Sequence, residues 1–232
     1  MLSQTPLHDW GLSANAAIAL QKKLSAQLKI EDDFGEIHYI AGADISLDSP
    51  REQGYAGFVV FEFPSLRETE RVYHQGPLLM PYVPGLLSFR EGPILVEAFQ
   101  KLKTKPDLIV FDGHGIAHPR RMGIASHMGL FLNCPSIGCG KSRLWGTYQE
   151  PALSRGSYTP LMDREERIGT VLRTKDKVKP VFISPGHRMS IEGSLKIILQ
   201  CLSAFRLPLP TREADRYVAE VKRSLNVSMP RR

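Results

Sequence analysis

The pattern of apolar and polar positions predicts an alternation of helices and short strands. Residues 14–29 are rich in helix-forming residues and follow Ser13, a suitable N-cap, so they predict a helix. Apolar or alternating runs predict strands at 37–45, 55–63, 68–74, 107–111, 135–139 and 181–184. Further helices are predicted over 88–102, 123–132, 190–202 and 212–225. This order predicts an α/β fold with a mixed central sheet flanked by helices.

Turn and cap residues refine two of these elements. The pair Pro64-Ser65 separates two strand patterns and predicts a hairpin turn. Ser88 is a candidate N-cap of the second helix, which would place Glu91 in a capping box. Pro93 breaks this helix early and is expected near its first turn, where a missing N–H does least harm.

Length and composition predict one domain over residues 1–232. The chain has 232 residues, 42% of them hydrophobic, with no internal repeat or clear linker. No apolar run approaches the roughly 20 residues that span a bilayer, and the N-terminus lacks a signal-peptide pattern, so no membrane partner is expected. The odd set Cys134, Cys139 and Cys201 suits a reducing compartment and core packing. We therefore expect a cytoplasmic monomer.

The net charge of +6 favours a polyanionic partner such as nucleic acid. Residues 141–179 contain nine Lys/Arg and five Asp/Glu, so this segment contributes +4. We expect the segment to form part of a phosphate-facing surface. The alternative is an ordinary solvated face, which is equally compatible with any single residue there.

Two carboxylates stand where strands are predicted to end. Asp44 ends the first strand and Asp112 follows the apolar run 107–111. Ligands of α/β sheets gather at strand carboxyl ends, and Mg²⁺ takes few carboxylates while keeping several waters. Glu91 is the candidate third acid, since a carboxylate cluster needs a cation to offset repulsion. The alternatives are turn caps for the aspartates and the capping box for Glu91.

The loop after Asp112 carries further candidate chemistry. His118 could position water or a leaving phosphate, and Arg120 and Arg121 could hold phosphates. A single loop histidine is more often incidental, and His127 on the next helix is expected to be a packing or supporting residue.

Two more residues are candidates for contact with nucleic acid. Lys141 ends a run that fails as a phosphate loop, because position 135 is proline where glycine is needed; the lysine could instead face a scissile phosphate. Tyr82, held between Pro81 and Pro84, could wedge between bases. The alternatives are an ordinary surface lysine and a tyrosine in a rigid turn.

Together these motifs resemble the endonuclease V family, nucleases that act on deoxyinosine. The matching runs occur in family order and span nearly all of the chain. They are AGADIS at 41–46, MPYVPGLLSFREGP at 80–93, PDLIVFDGHGIAHPRRMGIASHMGL at 106–130, PSIGCGKSRL at 135–144, ISPGHRMSIEG at 183–193 and PLPTREAD at 208–215.

The resemblance implies a ribonuclease H-like fold and a Mg²⁺ cofactor, with Mn²⁺ able to substitute. It also implies hydrolysis of the second phosphodiester bond 3′ to a deaminated purine in DNA, leaving 3′-hydroxyl and 5′-phosphate ends. The implied metal ligands are Asp44, Asp112 and Glu91, with His118 and Lys141 as catalytic partners and Tyr82 as the wedge. The implied lesion pocket comprises Gly85, Leu87, Gly113, Gly123, Ile124, Gly138 and Leu144. Asp215 stands where some relatives carry histidine near the metal, so it is either a fourth acid or an ordinary helix residue.

Two other functions stay open at this stage. One is cleavage of inosine-containing RNA, because the choice between DNA and RNA depends on shape that the sequence does not reveal. The other is a non-catalytic nucleic-acid-binding module, against which the intact Asp44, Glu91, Asp112 and Lys141 argue. A nucleotide-using enzyme is disfavoured by the failed phosphate loop.

Overall fold

The structure is a computed structural model that describes residues 7–227. Its strands are β1 Tyr39–Asp48, β2 Gln53–Glu62, β3 Glu68–Pro77, β4 Leu108–Phe111, β5 Ser136–Gly140, β6 Tyr158–Asp163, β7 Glu166–Leu172 and β8 Val181–His187. Its α-helices are α1 Ala14–Ser25, α2 Leu87–Gln100, α3 Ile124–Leu132, α4 Ile191–Gln200 and α5 Leu209–Val227, with a short 3-10 helix at Ser49–Arg51. The eight strands form one sheet in the order β3-β2-β1-β4-β5-β8-β7-β6.

The sheet is mixed, as the sequence predicts. Strands β1, β4 and β5 run parallel at its centre, and all other neighbours are antiparallel. Alternate residues of β4 are buried on opposite faces: Leu108 and Val110 pack in one apolar cluster, Ile109 and Phe111 in another. One face is covered by α4 and α5, and the other by α2 and α3. A strand buried on both faces reads as a continuous apolar run, which explains the 107–111 pattern.

The hairpin of β6 and β7 corrects the sequence-based description. No strand was predicted between β5 and β8, because this segment is polar and lacks strict alternation. Two basic residues of the segment 141–179, which is predicted to face phosphate, make contacts within the protein. Arg173 is buried and donates to the Ala152 and Pro151 carbonyls, while Arg167 forms an ion pair with Glu192. Several of the charges in 141–179 therefore serve the fold.

Helix α2 corrects the predicted capping box. The N-cap is Leu86, with no side-chain cap, and Ser88 lies inside the helix. Ser88 Oγ instead bonds the buried ring of His127, so Glu91 is not in a capping box. Pro93 lies in the helix interior, farther from the start than expected. No described helix is long and apolar enough to cross a bilayer.

Candidate active site

The parallel pairing of β1 and β4 places Asp44 and Asp112 side by side. Ala43 pairs with Phe111 in the register, and Asp112 N donates to the Ala43 carbonyl at 3.0 Å. Each aspartate therefore emerges at the same level of two neighbouring strands. The two aspartates are adjacent, as the sequence predicts, because the pairing of β1 with β4 ends at Ala43. The prediction that the first strand itself ends near Asp44 is wrong, since β1 continues to Asp48 in its pairing with β2.

Helix α5 brings a third acid to the same point. Gly42 in β1 lets the helix backbone approach the sheet, since an added Cβ would lie 1.9 Å from the Pro210 carbonyl oxygen. Asp215, on this helix, then joins Asp44 and Asp112: ligand oxygens of all three lie within 4.8 Å of one another. Among the described residues, this is the one group of three or more potential ligands that could hold a metal ion.

Glu91 does not belong to this group, which differs from the expected ligand set. It is 3% exposed on α2, and burial raises its pKa to about 8, with a smaller contribution from the negative charge of Asp112. The helix that carries it, α2, covers the opposite face of the sheet from α5, the helix that carries Asp215. In the structure Asp215, ranked only as a possible fourth acid from the sequence, supplies the third carboxylate of the cluster.

Lys141 supplies positive charge to the acid cluster. Its Nζ lies 2.5 Å from Asp112 Oδ2 and 2.8 Å from Asp215 Oδ1. Burial disfavours the charged ammonium, but these hydrogen bonds outweigh it and raise the pKa of Lys141. The carboxylates remain crowded: burial, then the charge of Asp112, raises the pKa of Asp44. Three partly buried carboxylates with a surplus of negative charge are a donor set suited to a hard divalent cation.

Beside the acid cluster lies a cavity of about 130 Å³. Six of the seven predicted pocket residues line it: Gly85, Leu87, Gly113, Gly123, Ile124 and Leu144. Gly138 does not line it, because it packs behind the wall, where an added Cβ would lie 2.4 Å from Gly115 N. Gly113 follows Asp112 directly, so the pocket and the acids share one loop. Tyr82 lines the mouth and is 64% exposed, as a wedge requires.

The backbone of Gly85 anchors this pocket. Its φ of 78° is in the left-handed region, which favours glycine. Its carbonyl accepts from Gln21 Nε2 at 2.9 Å, Arg120 Nη2 at 2.8 Å and His118 Nε2 at 3.1 Å. Three donors on one carbonyl hold the loop between Tyr82 and α2 in a fixed position.

These contacts give His118 and Arg120 a structural role that the sequence does not indicate. His118 Nδ1 accepts from the backbone N–H of Arg120 at 3.1 Å, so both of its ring nitrogens are occupied. Burial lowers the pKa of His118 to about 4, so the ring is neutral at pH 7. Arg120 also donates from Nε to Gln21 Oε1 at 2.6 Å. Both side chains support the pocket loop, and their expected roles toward water and phosphate stay predictions.

Arg121 pairs with two acidic side chains, and its predicted phosphate-binding role stays a prediction. Its Nη2 lies 2.6 Å from both Asp163 Oδ2 and Glu166 Oε2, and Nη1 donates to the His118 carbonyl. It therefore ties the loop to the β6–β7 hairpin. The sequence pattern does not indicate this pairing, because Asp163 and Glu166 belong to β6 and β7, for which the pattern predicts no strands.

Three residues that the sequence reading left without a site role also line the pocket: Ser88, His114 and Met122. His114 Nε2 lies 3.0 Å from the Ser142 carbonyl, and burial lowers its pKa to about 4. Its position two residues after Asp112 was a usable signal. Ser88 gave a misleading one, because a serine at the start of a helix is most often a cap.

Comparison with known proteins decides the family. The family model described as Endonuclease V matches residues 22–216. The chain belongs to the endonuclease V family. The resemblance seen in the sequence is thereby confirmed, and with it the ribonuclease H-like fold. Members of the endonuclease V family are metal-dependent nucleases, and the acid cluster is where such a metal could be held.

Individual relatives of the endonuclease V family agree. An Endonuclease V of Trichormus variabilis is 44% identical over 210 residues, covering 90% of this chain and 95% of the relative. The crystal structure of the Bacillus subtilis Endonuclease V superposes with a TM-score of 0.91 at 30% identity, covering 96% of this chain and 98% of that one. The Ciona intestinalis Endonuclease V, solved with a 24mer DNA containing an inosine followed by a ribo-adenosine, has a TM-score of 0.78 at 26% identity, covering 89% of this chain and 96% of that one.

Proposed function

We propose that this protein cleaves DNA containing deoxyinosine or another deaminated purine. The cut falls at the second phosphodiester bond 3′ to the lesion and leaves 3′-hydroxyl and 5′-phosphate ends. The observation that carries the proposal is the adjacency of a three-carboxylate cluster and a base-sized pocket, joined through consecutive Asp112 and Gly113. The inosine-containing DNA bound by the Ciona relative supports the substrate class.

The residues that would hold the cation are Asp44, Asp112 and Asp215, with Glu91 as a nearby supporting acid. Mg²⁺ fits this all-oxygen set, and Mn²⁺ would substitute. When bound, such a cation activates water and neutralises charge on the phosphorane-like transition state.

The remaining steps belong to side chains of this chain. Tyr82 enters the base stack and fills the space of the extruded nucleotide, which the pocket receives. The Gly85 carbonyl, held by three donors, keeps the pocket wall rigid so that the scissile phosphate is placed at the acids. Lys141 has an ammonium within reach of the same site and stabilises negative charge on the phosphate.

The test is nicking of an end-labelled duplex with a single deoxyinosine, with Mg²⁺ or with EDTA, and with the cut mapped to the nucleotide. We expect Mg²⁺-dependent nicking at the second bond and none of an inosine-free duplex. Nicking of both duplexes alike, or at another bond, would contradict the lesion specificity or the cleavage position. Binding without any metal-dependent nicking would support a non-catalytic module instead.

Cleavage of inosine-containing RNA is the second candidate function. The Ciona complex favours its consideration, because the bound inosine is followed by a ribonucleotide. Matched inosine-DNA and inosine-RNA oligonucleotides, assayed at equal concentration, separate the two by their ratio of kcat/KM.

A single domain, a monomeric state and a cytoplasmic location remain predictions, to be tested by limited proteolysis, light scattering and cell fractionation.

A further inference from the structure

Ser88 in the pocket wall is linked through His127 to His8, near the N-terminus. Ser88 Oγ lies 2.7 Å from His127 Nδ1, and His127 Nε2 lies 2.6 Å from His8 Nε2. His8 Nδ1 in turn lies 2.9 Å from the carbonyl oxygen of Asp9. Ser88 also lines the 130 Å³ cavity. The chain of contacts therefore runs from a backbone carbonyl at one end to the base pocket at the other.

The carbonyl of Asp9 sets the direction of all three hydrogen bonds between Asp9, His8, His127 and Ser88. A carbonyl only accepts, so His8 must carry its proton on Nδ1. Neutral His8 then presents a lone pair at Nε2, and His127 must donate from its own Nε2. This leaves a lone pair on His127 Nδ1, which accepts the hydroxyl proton of Ser88. The oxygen of Ser88 consequently keeps only acceptor capacity.

Burial keeps both rings neutral. His127 is 0% exposed, and burial, with a smaller effect of His8, lowers its pKa to about 3. Burial also lowers the pKa of His8. Trp10 and Phe89 pack against both imidazoles, which holds the rings in place. Neither ring gains the second proton that would reverse the chain at neutral pH.

We propose that Ser88 Oγ is a specificity-determining acceptor for the N1–H group of the deaminated base. This inference rests on the proposed function. Hypoxanthine and xanthine both carry a hydrogen on N1, whereas adenine has a lone pair there. An acceptor fixed by His127 pairs with the first two and faces adenine lone pair to lone pair. Guanine shares the N1–H group, so Ser88 separates deaminated bases from adenine only.

His8 acts in this scheme as a positioning residue. It does not reach the pocket, but its acceptor nitrogen selects the His127 tautomer, and that tautomer fixes the Ser88 hydroxyl. Trp10, two residues after His8, packs against Gly92 in α2, where an added Cβ would lie 2.5 Å from the Trp10 ring. This contact holds the segment that carries His8 against α2.

The decisive experiment compares two substrates with wild-type protein and Ser88→Ala. One duplex carries deoxyinosine and the other carries purine 2′-deoxyriboside, whose ring has no hydrogen on N1. We expect Ser88→Ala to lower kcat/KM on deoxyinosine about 10- to 100-fold, the usual consequence of leaving a buried donor unpaired, and to change the second substrate less than about 3-fold. An equal loss on both substrates would overturn the proposal, since it would mark Ser88 as merely structural.

Two matched variants keep this test sharp. Ser126→Ala removes another buried serine hydroxyl, one without a hydrogen-bond partner, and should leave both rates unchanged. Ser88→Thr retains the hydroxyl and should restore most of the deoxyinosine selectivity. A loss of selectivity in Ser126→Ala, or none restored by Ser88→Thr, would count against the acceptor role.

His8→Phe tests the positioning step. Phenylalanine retains the packing against Trp10 but removes the acceptor, so the deoxyinosine selectivity should fall about 3- to 10-fold. Nitrogen-15 NMR of wild-type protein should show His127 protonated on Nε2 alone, with a mixture of tautomers in His8→Phe. Protonation of His127 on Nδ1 in the wild type would overturn the scheme.

Failure of this inference is distinguishable from failure of the proposed function. If wild-type protein shows no metal-dependent nicking of deoxyinosine DNA, the proposed function fails. If it nicks that DNA but Ser88→Ala keeps the wild-type ratio between the two substrates, only the role of Ser88 fails.

Discussion

The acid cluster and the base pocket adjoin each other but are built from opposite materials. The cluster gathers Asp44, Asp112 and Asp215 around Lys141, so charge and its compensation govern it. The pocket is lined by glycine backbone, apolar side chains and histidines that burial keeps neutral. The difference shows how a nuclease can separate chemistry from recognition: a charge change should damage the first site, and a shape or hydrogen-bond change the second.

The largest effect is expected for Asp112→Asn. The amide removes a charged ligand from the acid cluster while preserving shape, so nicking of deoxyinosine DNA should fall at least about 10³-fold. Binding of the same duplex, measured by fluorescence anisotropy, should change less than about 3-fold. Glu165→Gln, an exposed acid in the turn between β6 and β7, is the control and should behave as wild type. Retained turnover of Asp112→Asn in saturating Mg²⁺ would contradict the metal-site assignment.

Gly85→Ala should damage the pocket and spare the acids. The new Cβ would lie 2.6 Å from Arg120 Nη2 at a residue with φ of 78°, so the loop must shift. We expect kcat/KM on deoxyinosine DNA to fall about 100-fold, because a misplaced base misplaces the phosphate. Mn²⁺ affinity, measured by calorimetry, should stay within about 2-fold. Gly35→Ala, where no atom lies within 4 Å, is the matched control.

The neutral histidines of the pocket predict a pH-dependent stability. The folded pKa of His118 is about 4, below its unfolded value of 6.5, so as pH falls from 6.5 towards 4 the unfolded chain binds the proton first. The native state is therefore destabilised over this window by this residue. His118→Asn removes the effect, so its free-energy deficit relative to wild type should shrink by about 2 kcal/mol between pH 7 and pH 4.5.

Urea unfolding at the two pH values measures that change. The control is His38→Gln, which removes an exposed histidine outside the pocket. A constant deficit for His118→Asn across the window would show that its ring is not kept neutral by the fold.

The smallest effect is expected for Tyr82→Ala. Tyr82 is 64% exposed, so its loss should barely change stability. Its ring should stabilise the opened duplex by stacking, so deoxyinosine DNA should bind about 10-fold more weakly, with unchanged metal affinity. Tyr158→Ala, on the far hairpin and 53% exposed, is the matched control. Equal binding of inosine and normal DNA by wild type and Tyr82→Ala alike would remove the wedge from the scheme.

The pattern of apolar and polar residues predicted the central strands well, but it did not predict the hairpin of β6 and β7 at the edge of the sheet. The run Leu108–Phe111 is apolar throughout because β4 is buried on both faces. Strands β6 and β7 contain charged residues at their exposed positions. The register of their pairing also shifts between Leu161 and Met162, which interrupts the alternation of buried and exposed positions. A periodicity interrupted in this way gives no clear strand signal.

The sequence motifs alone determined the family, whereas the spacing of Asp44 and Asp112 predicted their proximity only beside the alternative of two turn caps. Only the tertiary structure decided which third acid joins them: Lys141 meets Asp215 across 74 residues of chain, once α5 packs over Gly42. It also decided that Arg120 bonds the Gly85 carbonyl, that Arg121 pairs with Asp163 and Glu166, and that Ser88 bonds His127 rather than capping a helix. A hydrogen bond needs donor and acceptor within bonding distance, and the fold sets that distance. The sequence shows only which side chains can donate or accept.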